Sequence, residues 1–460
     1  MSAGPSQRQG SAQRPARTVS PARQCAYRVL RRVAENDAYA DRAFRAEATR
    51  AALDTRERAF AQQLSYGTVQ RIGTLDHLIG RLSSRPVEDL DPPLRDALRL
   101  GVFQLGWLDG VADHAAVSET VELAKEGGRG GHRLANALMR RATRELQPMI
   151  EALGDGSPAE AALLHSHPEW LVQMWWDLLG QEGTLALLAR NNEPPERAVR
   201  ANALLTTRDE LAEGLRKVGV QSHPVEQPRE ALVVDSPFDP AGSPLFQSGR
   251  LMPQSRASML VARVLGPRPG DRVLDLCAAP GAKTTHLAAL MEGEGEIVAL
   301  ERHPGRAAEL EANCRRMRAE RVTVMCADAT RAPVEGGFDR VLLDAPCSAL
   351  GTLQGRPDAR WRRSPQTIKE LTRVQDGLLA AAADQLTPGG TLVYSTCTIS
   401  PSEGEERIEA LLTARSDLEA DDLGVEWPAL TWPRAPQFLQ LLPHRDQTDG
   451  FFIARLKRSP

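Results

Sequence analysis

A chain of 460 residues exceeds what one hydrophobic core ordinarily serves, so several domains are expected. Its 42% hydrophobic and 25% charged residues suit an ordinary globular protein, and no run of eighteen apolar residues is present to span a bilayer. The net charge of −3 conceals an asymmetry: residues 1–150 carry 23 Lys and Arg against 17 Asp and Glu, a balance of +6 that leaves −9 for the remainder. Seven arginines precede the first acid, Glu35, which suits the front end to a phosphate backbone. Arginine outnumbers lysine about tenfold, a coding bias that lowers the weight of any arginine count. The six cysteines contain no C-x-x-C pair, so neither a zinc site nor a disulfide framework is expected, and no apolar leader argues for secretion. A reducing cytoplasm fits.

Residues 1–20 hold almost no large apolar side chain, and a disordered basic tail is expected there. From 21 to 150 apolar residues recur at helical spacing and predict an all-α bundle. Leu94, Leu98, Gly101, Leu105 and Leu108 follow Asp91-Pro92-Pro93, which offers a cap and a first-turn proline. Phe60–Val69, His114–Ala124 and Leu134–Arg141 repeat the pattern. The stretch from Gly154 to Pro158 breaks it and sets a first boundary. Residues 165–255 read as a small α+β domain. Its elements are a helix over Glu169–Leu179 with Trp170, Trp175 and Trp176 in the core, a strand from Arg200 to Leu205, and a helix over Leu211–Val218. Short strands follow at Ala231–Val234 and Leu251–Met252.

Over 256–460 the rhythm becomes β-α alternation. Strand-like runs at Arg272–Leu276, Ile297–Leu300, Val322–Met325, Arg340–Leu343 and Thr391–Tyr394 are separated by helical stretches at Thr284–Leu290, Arg306–Ala319 and Ile368–Leu386. Such alternation predicts an α/β, Rossmann-like domain with a parallel, doubly wound sheet. The apolar run from Gly450 to Leu456 adds a last strand.

The strand ends carry the candidate chemistry. The first strand leads into Cys277, Ala278, Ala279, Pro280, Gly281, Ala282 and Lys283, small residues that let a backbone turn sharply and approach a ligand. The spacing is neither G-x-G-x-x-G nor that of a phosphate loop. Lys283 is one of only five lysines, so composition did not put it there. Glu301 ends the second strand, where an acid suits a ribose diol, and Asp328 follows the third, where it can accept from an adenine amino group. Asp344 ends the fourth strand with Cys347 just beyond it, and Cys397 follows the fifth. Two cysteines thus emerge at one sheet edge beside a ligand turn, whereas Cys25, Cys314 and Cys326 read as inert core.

Such a pair suits addition to a pyrimidine. A thiolate adding to carbon 6 of cytosine turns carbon 5 into a nucleophile for an electrophilic methyl group, and thiolate is intrinsically very nucleophilic. Hydrogen bonding at N3 eases the addition, and Asp344 stands at the right strand end for it. The carbon-5 proton must then leave, which calls for a second base or a water beside the first cysteine. Spacing alone does not decide which cysteine attacks.

The segments DLCAAPGAKT, DAPCSALGT and YSTCT closely resemble the NOL/NOP2/Sun family of RNA cytosine-5 methyltransferases. Arg58-Ala-Phe, Ser65-Tyr-Gly-Thr, Asp113-His-Ala-Ala-Val and Leu134-Ala-Asn-Ala-Leu-Met-Arg resemble the NusB-like helical domain of its bacterial 16S ribosomal RNA members. The resemblance implies an RNA-binding NusB-like bundle over 21–150, a small RNA-binding α+β domain over 165–255 and a methyltransferase domain over 256–460. It implies Cys397 as nucleophile, Cys347 as its partner in product release, and S-adenosylmethionine held by the 277–283 turn with Glu301, Asp328 and Asp344. Two positions depart from the family pattern: Ala282 replaces a second glycine, and Glu301 replaces an Asp. Arg356, Arg360, Trp361, Arg362 and Arg363 crowd the segment after Cys347 and suit phosphate contact and base stacking. The expected partner is 16S ribosomal RNA, with neither DNA nor a membrane, no metal, and a monomeric cytoplasmic chain. The alternatives are a tRNA cytosine-5 methyltransferase, which the NusB-like front disfavours, and a non-catalytic assembly or antitermination factor, for which both cysteines and Lys283 would be superfluous.

Overall fold

The computed structural model describes residues 19–36, 38–83, 85–126, 130–331 and 334–460 and divides into two compact units, Met1–Leu153 and Gly154–Pro460. The expected basic tail lies, up to residue 18, outside the described residues.

In the first unit the described residues form helices α1 (Pro21–Glu35), α2 (Ala40–Arg50), α3 (Thr55–Gln70), α4 (Ile72–Leu82), α5 (Pro92–Trp107), α6 (Asp113–Leu123) and α7 (Gly131–Glu151). Helix α1 packs on α2, α3 and α5, while α5 also lies against α6 and α7. Leu94 and Leu98 of the expected stripe are buried in α5. Pro92 opens that helix with its fixed φ, but the Asp91 side chain makes no capping hydrogen bond. Part of the arginine surplus is spent inside the bundle. Buried Asp96 accepts from Arg31 at 2.9 Å and Arg99 at 3.1 Å, and Arg23 pairs with Glu119 at 3.0 Å.

The second unit opens with α8 (Pro158–His165) and α9 (Glu169–Arg190). Helix α9 breaks at Gly180, whose φ of 71° and ψ of 178° end its first half where the tryptophan-rich pattern ends. A four-stranded antiparallel sheet follows, in the order β2-β3-β1-β4, from β1 (Ala198–Ala201), β2 (Ser222–Pro224), β3 (Ala231–Val234) and β4 (Leu251–Pro253). Between these strands lie α10 (Arg208–Lys217), opened by a Thr207–Glu210 capping box, and α11 (Pro244–Gln247). The strand expected over Arg200–Leu205 stops at Ala201 because the Asn202 side chain donates to the Gly249 and Met317 carbonyls, at 3.0 and 2.8 Å, and pulls the chain off the sheet.

The remaining elements are α12 (Arg256–Leu265), β5 (Arg272–Asp275), α13 (Ala282–Leu290), β6 (Glu296–Glu301), α14 (Pro304–Arg316), β7 (Val322–Cys326), β8 (Phe338–Asp344), α15 (Ala359–Arg362), α16 (Pro365–Asp384), β9 (Leu386–Thr396), α17 (Glu405–Ala414), β10 (Leu418–Ala420), β11 (Thr431–Trp432), β12 (Ala435–Leu441), α18 (Pro443–Asp446) and β13 (Phe451–Arg458). Strands β9, β8, β5, β6 and β7 are parallel neighbours in that order, as the alternation predicts. Beyond β9 the sheet turns antiparallel, with β13 on β9, β12 and β10 on β13, and β11 on β12. The sheet is therefore mixed. The link from β12 to β13 holds only α18 and is too short for a parallel crossover.

Alternating side chains feed two cores. Val273, Ile297, Ala299, Leu342 and Val393 face α12, α13 and α14, whereas Leu274, Val298, Leu300, Val341 and Tyr394 face α9, α16 and α17. The chain steps outward from β5 to β7, then returns to the other side of β5 as β8. The carboxyl ends of β5 and β8 thus form a topological switch point, where open α/β sheets bind ligands.

Candidate active site

The turn after β5 places six small or cyclic residues, from Cys277 to Ala282, at the switch point. Gly281 takes a φ of 101° immediately before α13, a conformation that suits glycine and no larger residue there, since a Cβ would lie 2.8 Å from Leu310 Cδ1. Ala282 is the first residue of α13 and needs no positive φ, so replacing glycine at that position brings no strain. Beneath the turn Asp275 is almost fully buried and accepts from the Thr284 hydroxyl at 2.8 Å; burial pushes its carboxyl up to about 7. Burial likewise pushes the Cys277 thiol well up, so this cysteine stays protonated.

Carboxylates stand at the ends of the next strands. Glu301 is buried and accepts from the His303 amide at 2.8 Å, while Arg306 lies 3.4 Å from its other oxygen and donates to the Ala279 carbonyl at 2.7 Å. Arg306 thereby links Glu301 to the turn, a connection the sequence did not suggest. Asp328 accepts from the Thr330 hydroxyl and amide at 2.8 and 3.0 Å, and these bonds hold its carboxyl below the usual range. Cys326, expected in the core, is exposed instead, because it ends β7 at an edge of the sheet. Asp344 accepts from Lys283 at 2.7 Å and from Ser395 at 2.8 Å, and Lys283 Nζ lies 5.1 Å from the centre of the Phe451 ring. This donor set suits a nucleoside bearing an amino-acid group. Carboxylates can accept from a ribose diol and an amino group, and the first amides of α13 lack helical acceptors.

Across from that turn the Cys347 and Cys397 sulfurs lie 3.4 Å apart, both half-buried. One thiol can donate to the other, and the surroundings decide which. Cys397 is lowered by the hydrogen bond from Cys347 and by the charges of Arg356 and Lys283, against burial and Asp344. Cys347 is raised well above the ordinary thiol range by that same hydrogen bond, by burial and by Glu403. The flanking charges, Arg356 and Lys283 beside Cys397 and Glu403 beside Cys347, favour a thiolate on Cys397.

The two cysteine loops are braced from many elements. Trp175 of α9 is fully buried and donates its indole N–H to the Ile399 carbonyl at 3.1 Å, so this core residue also holds the loop after Cys397. Gln375 of α16 donates to the Pro346 carbonyl at 3.0 Å. The Gly351 amide donates to the Cys397 carbonyl at 3.0 Å, and the Gly450 amide to the Gly351 carbonyl at 2.7 Å. Here the backbones touch: a Cβ on Gly351 would meet Gly450 O at 2.0 Å. Glu403, fully buried, accepts from the Ser348 amide at 2.8 Å, the Ser348 hydroxyl at 2.5 Å, Gln375 at 3.1 Å and Thr398 at 3.4 Å. Sequence reading missed Glu403 because a Ser- and Glu-rich turn reads as solvated loop.

The segment after Cys347 divides in the structure. Arg360 is fully buried and donates to the Ser166 and Asn191 carbonyls and to Asn192 Oδ1, at 3.1, 2.9 and 2.8 Å. An unpaired buried charge costs several kcal/mol, so these acceptors identify a packing role for Arg360 and correct its expected RNA contact. Arg362 pairs with Asp358 at 2.7 Å, and Arg363 donates to the Ser348 carbonyl at 2.9 Å, bracing the Cys347 loop. Trp361 is half-buried, while Arg356 is exposed and bears on Cys397. In the first unit Arg28, Arg31, Arg32 and Arg50 line an open cleft with Glu47. Among the described residues no His, Cys, Asp and Glu cluster could hold a metal ion, and no helix is long and apolar enough to cross a membrane.

Comparison with known sequences finds three matches in chain order. The NusB family matches residues 20–144, the Methyltr_RsmF/B-like ferredoxin-like domain matches 167–240, and the family described as 16S rRNA methyltransferase RsmB/F matches 262–457. The probable ribosomal RNA small subunit methyltransferase B of Synechocystis sp. is 36% identical over 447 residues, covering 95% of this chain and 99% of that relative. Among solved structures, PH0851 aligns with a TM-score of 0.81 and 27% identity over 96% of this chain and 99% of its own. NSun6 from Pyrococcus horikoshii with SFG aligns with a TM-score of 0.60 and 25% identity over 65% of this chain and 100% of its own.

Proposed function

The chain belongs to the 16S rRNA methyltransferase RsmB/F family, and on that premise we propose that it methylates carbon 5 of a cytosine in small-subunit ribosomal RNA, with Cys397 as nucleophile. The supporting observation is the sulfur pair 3.4 Å apart at the switch point, with the thiolate favoured on Cys397. Family membership implies S-adenosylmethionine, and the residues present fit it: the 277–283 turn, Glu301 and Asp328 offer partners for its amino-acid group, ribose and adenine. When bound, it supplies an electrophilic methyl group.

The chain's own residues do the rest. Cys397 forms a sulfur–carbon bond at carbon 6, which pushes electron density onto carbon 5 and raises the basicity of N3. Asp344, already holding Lys283 and Ser395, keeps lone pairs to accept from the exocyclic amino group of the base and from N3 once a solvent water has protonated it, and that proton returns to solvent when the ring is restored. After carbon 5 is methylated its proton passes to a water held beside the Cys347 thiol. The electrons of that C–H bond restore the ring and expel Cys397 as thiolate. The target cytosine must be unpaired or flipped out to meet the sulfur.

The test is one denaturing gel of wild type, Cys347→Ala, Cys397→Ala and the double variant with labelled cofactor and 16S rRNA. Cys347→Ala should accumulate a covalent protein–RNA species carrying labelled methyl, because addition and transfer proceed while elimination stalls. Cys397→Ala and the double variant should show none. An adduct in Cys397→Ala would reverse the roles, and an adduct in no lane would reject covalent catalysis. Bisulfite mapping of rRNA and tRNA from a deletion strain would locate the modified base.

A further inference from the structure

We propose that Glu403 is a positioning residue that assigns the two thiols their roles, holding Cys347 as proton donor so that Cys397 is left to attack. The proposal rests on the Cys397 reading above and concerns what makes two chemically identical side chains unequal.

The hydrogen bonds around Glu403 favour its ionised form at the geometry observed. Its Oε1 faces the Ser348 amide and the Gln375 side-chain amide, groups that can only donate. Its Oε2 takes the Ser348 hydroxyl at 2.5 Å, with the Thr398 hydroxyl at 3.4 Å. The Tyr394 and Thr396 hydroxyls donate to its backbone carbonyl at 2.9 and 3.2 Å, so the main chain is fixed as well. These bonds fall unevenly on the two loops. Ser348 directly follows Cys347 and supplies two of them, while Gln375 also holds Pro346 on the other side of that cysteine. Of the carboxylate's own bonds only the longest, from Thr398, comes from the Cys397 side, while Tyr394 and Thr396 on that side hold the Glu403 main chain.

The charges are arranged to match. Glu403 lies on the Cys347 side with Tyr394, whereas Cys397 faces Arg356 and Lys283 together with Asp344. Arg407 of α17, near Tyr394, is paired with Asp376 at 2.9 Å, which limits its compensation of Glu403. A buried carboxylate opposes a second negative charge on Cys347, while Arg356 favours one on Cys397, where Lys283 is balanced by its partner Asp344. The sulfur pair is thus polarised from both ends. Burial raises the Glu403 carboxyl, against the hydrogen bonds from Ser348 and Gln375, and the Thr398 hydroxyl is shared with Ser348 Oγ at 2.8 Å.

The test uses the full chain without RNA. Iodoacetamide labelling across a pH series, read at each cysteine by peptide mass spectrometry, compares wild type with Glu403→Gln, Glu403→Asp and Ser348→Ala. In wild type Cys397 should be labelled ahead of Cys347. In Glu403→Gln the ratio of Cys397 to Cys347 labelling should fall about tenfold, the change in thiolate fraction for one pKa unit. Glu403→Asp and Ser348→Ala, which keep the charge, should retain the order. Buried Cys25 and Cys314 report folding, because they become labelled only if the chain opens. An unchanged ratio in folded Glu403→Gln, or an equal rise at both cysteines, would overturn the proposal. If that variant unfolds, loss of the Cys397 preference in folded Glu403→Asp would do so. Since no RNA is present, a failure on the gel described above would reject the carbon-5 chemistry and leave this ordering intact.

Discussion

At the proposed cofactor end of the site Glu301 and Asp328 are each steadied by a near neighbour in sequence: the His303 amide on Glu301, and Thr330 on Asp328. At the thiol end Cys347 and Cys397 are steadied from Trp175, Gln375, Glu403 and Gly450, which come from widely separated parts of the second unit. The difference follows from what each end must do. A diffusible ligand enters and leaves, so its acids stay at open strand ends with short-range support. The proposed nucleophile and its partner would have to remain at sulfur contact through every turnover, and long-range bonds hold them there.

The largest expected effect would separate the two ends. Cys397→Ala should lower turnover on the order of 10⁴-fold or more while calorimetry finds cofactor affinity unchanged. Asp328→Ala should weaken cofactor binding about tenfold or somewhat more, the loss expected for a charged hydrogen bond, and leave cysteine labelling as in wild type. Finding either variant defective in both assays would show the ends to be one coupled unit. A smaller effect would expose the long-range bracing. Gly351→Ala must push apart two touching backbones and should cost about 1–3 kcal/mol in urea unfolding, with cofactor affinity altered less than turnover. The smallest comes from Trp175→Phe, which keeps most of the ring but forfeits the bond to Ile399, about 1 kcal/mol. A loss several times larger would mean that the indole supports more than one loop.

The same contrast explains what could be read from the sequence. The turn from Cys277 to Lys283 and the acids at 301, 328 and 344 follow from strand–turn–helix spacing, because local sequence produces them. The alternating β-α pattern likewise announces five parallel strands. Helix α12 escaped notice because its apolar residues directly follow a short strand, β10 and β11 because they are brief, and β12 because Pro436 interrupts its pattern. Sequence reading overlooks Glu403 and misreads Arg360 for a common reason. Charged residues in loops are usually solvated, and only the folded chain shows that distant carbonyls, amides and hydroxyls converge on these two.

Strand β13, antiparallel to β9, lies some distance after Cys397 in chain order. During synthesis the parallel strands therefore leave the ribosome before the partner that covers β9. Until then β9 is an open edge bearing Leu392, Val393 and Tyr394, a template on which a second nascent chain could add a strand. A message cut between the codons for Cys397 and Gly450 would yield chains that possess both cysteines of the pair and still aggregate. Their Cys397 loop would also lack the Gly351–Gly450 contact that supports it, so that loop is complete only after the protecting strand is in place.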